Sequence, residues 1–276
     1  MGTISNLSIR IASRLLKNGV RSGGLSASSR RRLGSMLGLL SNEVRREMCR
    51  EVVAAKGRVV AGGPFQGMKV SEAVSWGDGD ILPKYLGFYE AELAPFFDEM
   101  QSQTFDFVVN VGAAEGFYAV GSALVLKTDR VIAVDIDQAA LDATQENAAL
   151  NGVGHKLEGM LGLDAEGLRA LASTATRCLI ISDCEGFELE LFSDRAVEAL
   201  KGSFCLVECH DFIGQDVAGL LAQRFSASHD IEIIEEGARN PNQYDILRSK
   251  SSLDRWLAVS EGRPETMRWL IARPRG

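Results

Sequence analysis

Several absences narrow the class of this 276-residue chain before any motif is read. No apolar run approaches the ~18 residues of a membrane span, so no spanning helix is expected. Cysteine is sparse and odd in number, five in all, without the close spacing of a small disulfide scaffold. Free thiols in a reducing compartment follow, which points to the cytoplasm. Cys184, Cys209 and His210 offer zinc-binding atoms but none of the usual ligand intervals. Arg10 and Arg14 interrupt any secretory h-region near the start. Internal repeats are missing, and the one biased stretch, SGGLSASSRRR at 22–32, reads as a linker.

Charge is present but unevenly placed. Residues 1–60 hold 12 Lys/Arg against 3 Asp/Glu, whereas the remainder holds 18 against 34. The acidic body argues against nucleic acid as a partner, while the basic arm can meet an anionic one. Within the arm, Ile4, Leu7, Ile11 and Leu15 recur at helical spacing among Arg10, Arg14 and Lys17. That pattern suits an amphipathic helix lying on a membrane, which would make the protein membrane-associated, or a helix packing in an oligomer. A second helix is predicted over 42–56, with Val44, Met48, Val52 and Ala55 on one face and Gly57 as its stop.

The body is organised around 105–121, FDFVVNVGAAEGFYAVG. Phe105, Phe107, Val108, Val109 and Val111 suit a short buried parallel strand. Gly112 and Gly116 bracket a turn, after which a helical pattern resumes. Unpaired N–H groups at such a helix start, with the positive end of its dipole, form a receptor for a polar or anionic group. The next strand, VIAVDID at 131–137, carries Asp135, 23 residues beyond Gly112. A carboxylate there can accept both hydroxyls of a ribose. A dinucleotide and S-adenosylmethionine share that need. The dinucleotide fingerprint wants glycine where this chain has Ala114 and Phe117, which removes the close approach for a pyrophosphate.

Further strands are predicted at 156–161, 178–182, 204–207, 229–234 and 268–272, and a helix at 81–100 leads in. The alternation predicts a doubly wound, seven-stranded, mostly parallel α/β sheet with the last strand antiparallel. It would occupy 81–276, behind a basic, mostly helical extension over 1–80.

Three stretches in order, VNVGAAEGFYAVG, VIAVDIDQAALDATQENAALNGV and LIISDCEGFELELF, resemble the FkbM-type class I S-adenosylmethionine-dependent methyltransferases. The resemblance covers 84–208 well and the C-terminal third loosely. It implies a Rossmann-like methyltransferase fold, S-adenosylmethionine as methyl donor, and cofactor contacts at Gly112, Ala114, Gly116 and Asp135. The family usually has an acidic residue where this chain has Asn110, so a salt link from that position to the methionine ammonium is missing. GFYEAEL at 87–93 resembles the family segment before the first strand, which makes Glu90 a candidate for the methionine moiety; otherwise it is a surface glutamate. Asp164 would accept the adenine amino group or cap the helix that follows.

Strands four and five deliver Asp183-Cys184-Glu185 and Glu208-Cys209-His210-Asp211 to the sheet edge where α/β folds bind ligands. Buried carboxylates must be paired or liganded, so packing alone does not explain them. A hydroxyl acceptor must lose its proton during methylation, to Asp183, His210 or Asp211 as base. Alternatively a divalent metal lowers its pKa, and Asp183, Glu185 and Asp211 would suit Mg²⁺ or Mn²⁺. Glu188 is expected to face the helix it begins. In the loop 236–244, Arg239, Asn240 and Asn242 either hold a sugar-like acceptor or form an ordinary turn. His155 and His229 read as structural. The expected activity is O-methylation of a glycan or small hydroxylated metabolite; the alternative is a non-catalytic cofactor-fold module that its basic arm recruits to a membrane or assembly.

Overall fold

A computed structural model describes residues 14, 17, 26–72, 81–211 and 214–275. The amphipathic pattern at 1–24 falls outside them apart from Arg14 and Lys17. The chain forms two compact units, Met1–Val44 and Arg45–Gly276. Helix α1, Ala27–Lys56, begins behind Ser26, whose hydroxyl accepts the Ser29 N–H at 3.2 Å. Residues 27–32, expected as linker, are therefore helical. A serine cap and three arginines, which cost little in a helix, outweigh the loop-like composition. Near its end α1 buries Arg45, Met48 and Val52.

The single helix expected over 81–100 is divided into α2 (Ile81–Leu86), a 3₁₀ turn (Ala91–Leu93) and α3 (Ala94–Met100). Gly87 causes the break. It has φ +80°, and a Cβ there would lie 2.4 Å from the backbone nitrogen of Gly62. The two chain segments cross too closely for a side chain, and the helix cannot continue through that conformation.

The sheet follows the predicted alternation. Its strands and helices are β1 (Phe107–Val111), α4 (Phe117–Val125), β2 (Val131–Asp135), α5 (Gln138–Leu150), β3 (Leu157–Leu161), α6 (Ala165–Ala172) and β4 (Cys178–Ser182). After them come α7 (Glu188–Leu191), α8 (Asp194–Ala199), β5 (Phe204–Cys209), α9 (Val217–Phe225), β6 (His229–Glu235), α10 (Ser252–Ala258) and β7 (Arg268–Pro274). Strand order is β3-β2-β1-β4-β5-β7-β6, and β7 pairs antiparallel with both β5 and β6. The central strands β1, β2 and β4 are buried along their whole length. This explains their continuous rather than alternating apolar character.

One face of the sheet, including Val109, Val111, Ile132, Ile180 and Val207, packs on Leu168, Leu191, Val197 and Leu221 of α6 to α9. The other face meets α4 and α5. Register then fixes the site. Val111 pairs with Val134 and with Ser182, and Ser182 pairs with Val207. The residues that follow, Gly112, Asp135, Asp183 and Glu208, consequently emerge side by side at one edge.

Candidate active site

A cavity of about 1180 Å³ opens across that edge. Gly112, Ala114, Asp135 and Ile136 line one end, Asp164 and Leu163 the wall beside it, and Asp183, Glu185, Glu208 and His210 the other end. Glu261 to Pro264, from the loop before β7, complete the enclosure.

The turn after β1 is built by backbone geometry. Gly112 has φ +77°, and a Cβ there would stand 1.7 Å from the carbonyl oxygen of Asp183. Glycine is required at this point by the neighbouring strand tip, in addition to any ligand that passes over it. Ala114 is held at φ 50°, an uncommon conformation for a residue with a side chain. Its N–H donates to Asp135 Oδ2 at 2.9 Å, and Asp137 N–H donates to Asp135 Oδ1 at 3.0 Å. These two bonds fix the Asp135 carboxylate at the cavity wall. Gly116 serves differently from the expectation, since it does not line the cavity. It precedes α4 at φ +85°, and a Cβ would meet the Thr144 side chain at 2.7 Å.

Ile136 is 90% exposed yet lines the cavity beside Asp135, with Met160 and Leu163 on the same wall. An apolar surface there suits a flat base, and the sequence reading missed it. Asp164 caps α6 by accepting the Gly167 N–H at 2.8 Å, and it also lines the cavity.

Asn110 and Glu90 lie off the cavity wall. Asn110 is buried within β1, and neither of its amide atoms has a hydrogen-bond partner among the described residues. Glu90 is 3% exposed, held by Arg263 at 2.7 Å and by the Tyr118 hydroxyl. Its carboxylate is therefore committed to the protein rather than open to a ligand.

Arg263 is the hub of this region. It donates to Glu90, to Glu208 at 2.5 Å and to Glu261 at 3.1 Å, with its guanidinium 5.0 Å from the Trp269 ring centre. Glu261 also takes Arg239 at 2.7 Å, and Arg239 holds Glu92. Arg239 is thus consumed by this network, and the Asn240 side chain accepts the Asn242 N–H at 3.1 Å. The loop 236–244 is an ordinary turn in this respect, and its three candidates do not reach the cavity. Burial pushes the Glu208 and Glu261 carboxyls up, and Asp183 and Glu90 add to the rise at Glu208.

At the far end His210 is 3% exposed. Its Nδ1 lies 2.5 Å from Glu188 Oε1, and its Nε2 lies 3.4 Å from Glu185 and 3.5 Å from Asp183. Burial lowers its pKa, but the hydrogen bonds to Glu185 and Glu188 and the Asp183 charge outweigh that and hold it at about 10. That shift favours the protonated ring at neutral pH and runs against a role for His210 as a base. Asp183 is raised to about 7, first by burial and then by repulsion from Glu90, with His210 opposing. Its Oδ1 is sealed from solvent without a hydrogen-bond partner among the described residues. Glu188 is the wholly buried partner of His210, and its Oε1 also accepts the Gly186 N–H at 3.0 Å. It does not face along the helix it begins.

Asp211, the third expected acid, turns away. It accepts Arg268 Nε at 2.8 Å and the Ala218 N–H at 3.2 Å, and it does not line the cavity. The trio Asp183, Glu185 and Asp211 is therefore not assembled. Asp183, Glu185 and His210 do come within 4.8 Å of one another. Nδ1 of the ring is held by Glu188, and Nε2 with one carboxylate oxygen from each acid makes a set of three ligand atoms of the kind a divalent cation takes, in place of the trio expected. Cys209 packs in the apolar core, so the zinc trio is not formed either. His229 is structural as expected, bonded to Ser203 O at 3.0 Å and Ser228 Oγ at 2.8 Å.

The 3-2-1-4-5-7-6 order with β7 alone reversed, and a cavity over the carboxyl ends of the parallel strands, decide the fold family. The chain has the class I methyltransferase fold. The family model for ribosomal protein L11 methyltransferase (PrmA) matches residues 95–175. The ribosomal protein L11 methyltransferase of Alteromonas mediterranea is 46% identical over 63 residues, which are 23% of this chain and 21% of that protein. The aligned part is thus about a fifth of that relative's length. Two solved structures are similar at lower identity. The ribosomal protein L11 methylase of Lactobacillus delbrueckii subsp. bulgaricus has 14% identity and a TM-score of 0.40, covering 75% of this chain and 86% of that chain. Geranyl diphosphate C-methyltransferase of Streptomyces coelicolor A3(2) has 12% identity and a TM-score of 0.44, covering 84% and 98%. The family-model match stops before β4, so it spans β1 to α6 and not the strand tips that carry Asp183 and His210. The FkbM-type subfamily remains a resemblance of motifs.

Proposed function

We propose that the chain is an S-adenosylmethionine-dependent methyltransferase that methylates a hydroxyl of a glycan or small hydroxylated metabolite, with Asp183 as general base. The observation that carries this reading is the single cavity joining Asp135 and Ile136 at one end to Asp183 and His210 at the other. The family-model match over 95–175 supports the cofactor half.

Asp135 would accept the ribose hydroxyls, Ile136 and Leu163 would cover the base, and Gly112 and Ala114 would pass the chain of the methionine moiety. When bound, S-adenosylmethionine would supply an electrophilic methyl group on a cationic sulfur. The residues of this chain then have to position the acceptor and move one proton. Alignment of reactants can account for up to ~7–11 kcal/mol of a barrier. Asp183, which lines the cavity and has a pKa near neutrality, would receive the acceptor proton. His210, kept charged by Glu188, would steady the carboxylate before transfer. Glu185, exposed on the cavity wall, would accept another hydroxyl of such a substrate.

The relative from Alteromonas bears a name that refers to a ribosomal protein. The acceptor end of this chain lies outside the family-model match, so that substrate does not carry over on present grounds. Calorimetric titration with S-adenosylhomocysteine tests the reading. Binding is expected, and Asp135→Ala should weaken it by roughly 1.5–3 kcal/mol, the contribution of a hydrogen bond to a charged group. A chain that binds NAD and ignores S-adenosylhomocysteine would overturn the proposal.

A further inference from the structure

Helix α1 carries a surface that the methyltransferase reading does not use. Met36, Leu37, Leu39 and Leu40 are 52%, 62%, 71% and 60% exposed. Leu33, Met36, Leu37 and Leu40 follow the i, i+3, i+4, i+7 spacing of one helical stripe. The space beside Gly34 and Gly38 is open, with no atom within 4 Å of a Cβ built at either. Further along the same helix Met48 and Val52 are buried, so the exposed stripe is local to its first half. A contiguous apolar stripe left in water marks an interaction site rather than an ordinary surface.

The charge around it is one-sided. Arg30, Arg31 and Arg32 are exposed within two turns of the stripe. No acidic residue occurs before Glu43, while residues 1–42 include seven Lys/Arg. Basic residues alone would serve a nucleic-acid phosphate backbone, but four exposed large apolar side chains would gain nothing there. Apolar and cationic groups on one helix match the boundary between anionic headgroups and acyl chains. No helix among the described residues is long and apolar enough to cross a membrane, so the contact would be peripheral. We infer that Met36, Leu37, Leu39 and Leu40, with Arg30, Arg31 and Arg32, form a docking surface for an anionic lipid bilayer.

The test uses the full chain and vesicles of phosphatidylcholine, with and without phosphatidylglycerol, in a co-sedimentation assay. Binding to the phosphatidylglycerol vesicles is expected, with little to phosphatidylcholine alone. Replacing Arg30, Arg31 and Arg32 by Ala should weaken it about fivefold per charge, on the order of a hundredfold together. Met36→Ser, Leu37→Ser and Leu40→Ser together should weaken it by roughly tenfold or more. Circular dichroism and thermal melting show that each variant keeps its fold. Failure of the parent chain to bind anionic vesicles overturns the inference, as does binding that both sets of substitutions leave unchanged. Without vesicle binding, a complex with an RNA oligonucleotide, or a dimer that the serine variant dissolves, would assign the surface to that other partner and equally overturn it.

Discussion

Glutamine at position 188 should loosen the proton on His210 without changing the shape of the site. Glu188 is wholly buried, 2.5 Å from His210 Nδ1, and its Oε1 also accepts the Gly186 N–H. Glutamine keeps the volume and a carbonyl acceptor and removes only the charge. A hydrogen bond to a charged group contributes roughly 1.5–3 kcal/mol, and a pKa unit corresponds to about 1.4 kcal/mol. The imidazole pKa should therefore fall by about 1–2 units from its value of about 10. Glu185 and Asp183 remain beside Nε2, so the ring should still titrate above its ordinary range. An NMR titration of the imidazole resonances measures this directly.

Stability gives a second reading of the same perturbation. The folded pKa of His210 is raised, so its contribution is complete below the unfolded value, about 6.5, and is lost as pH rises through about 10. In Glu188→Gln the contribution is smaller and disappears at lower pH. The His210-dependent difference in urea midpoint between the two chains should be complete at mildly acidic and neutral pH and should vanish above pH 10. A parent His210 that titrates near its ordinary value, or one that Glu188→Gln leaves unchanged, would refute the imidazolium assignment.

Three further outcomes are expected. Asp183→Asn should cut turnover by about 10²–10⁴-fold while S-adenosylhomocysteine affinity stays near the parent's. The parent rate should fall as pH drops below about 7, where the carboxylate takes up its proton, and the variant should lack that limb of the pH–rate profile. Arg263→Ala strands Glu90, Glu208 and Glu261 in a buried setting and should destabilise the chain by about 3–5 kcal/mol in urea; parent-like stability would show that the network is energetically idle. Gly112→Ala should cost about 1–3 kcal/mol from its backbone conformation alone. It should also impair cofactor binding, because the new methyl group would displace the Asp183 backbone. Unaltered melting and affinity would refute the close approach.

The sequence by itself determined the sheet and the turn that follows β1. Short buried strands are written as unbroken apolar runs, and Gly112, Ala114 and Asp135 lie within 24 residues, so local pattern and spacing place them. The break at Gly87 was less legible, because it depends on a crossing with Gly62, 25 residues earlier. The tips of β4 and β5 were decided by tertiary structure. Asp183 and Asp211 both come just after their strands, one and two residues past the last, but Arg268 on β7 draws Asp211 away while His210 remains beside Asp183. Arg263 and Glu261, from a loop with no motif, enclose the cavity; Arg263 binds Glu90 and Glu208, 173 and 55 residues away, and Glu261 binds Arg239, 22 residues away. Ion pairs of that kind leave no periodicity, since each partner is fixed only when the strands are laid side by side. The proton on His210 follows the same rule: its charge is set by Glu188 and Glu185, whose positions relative to the ring exist only in the folded sheet.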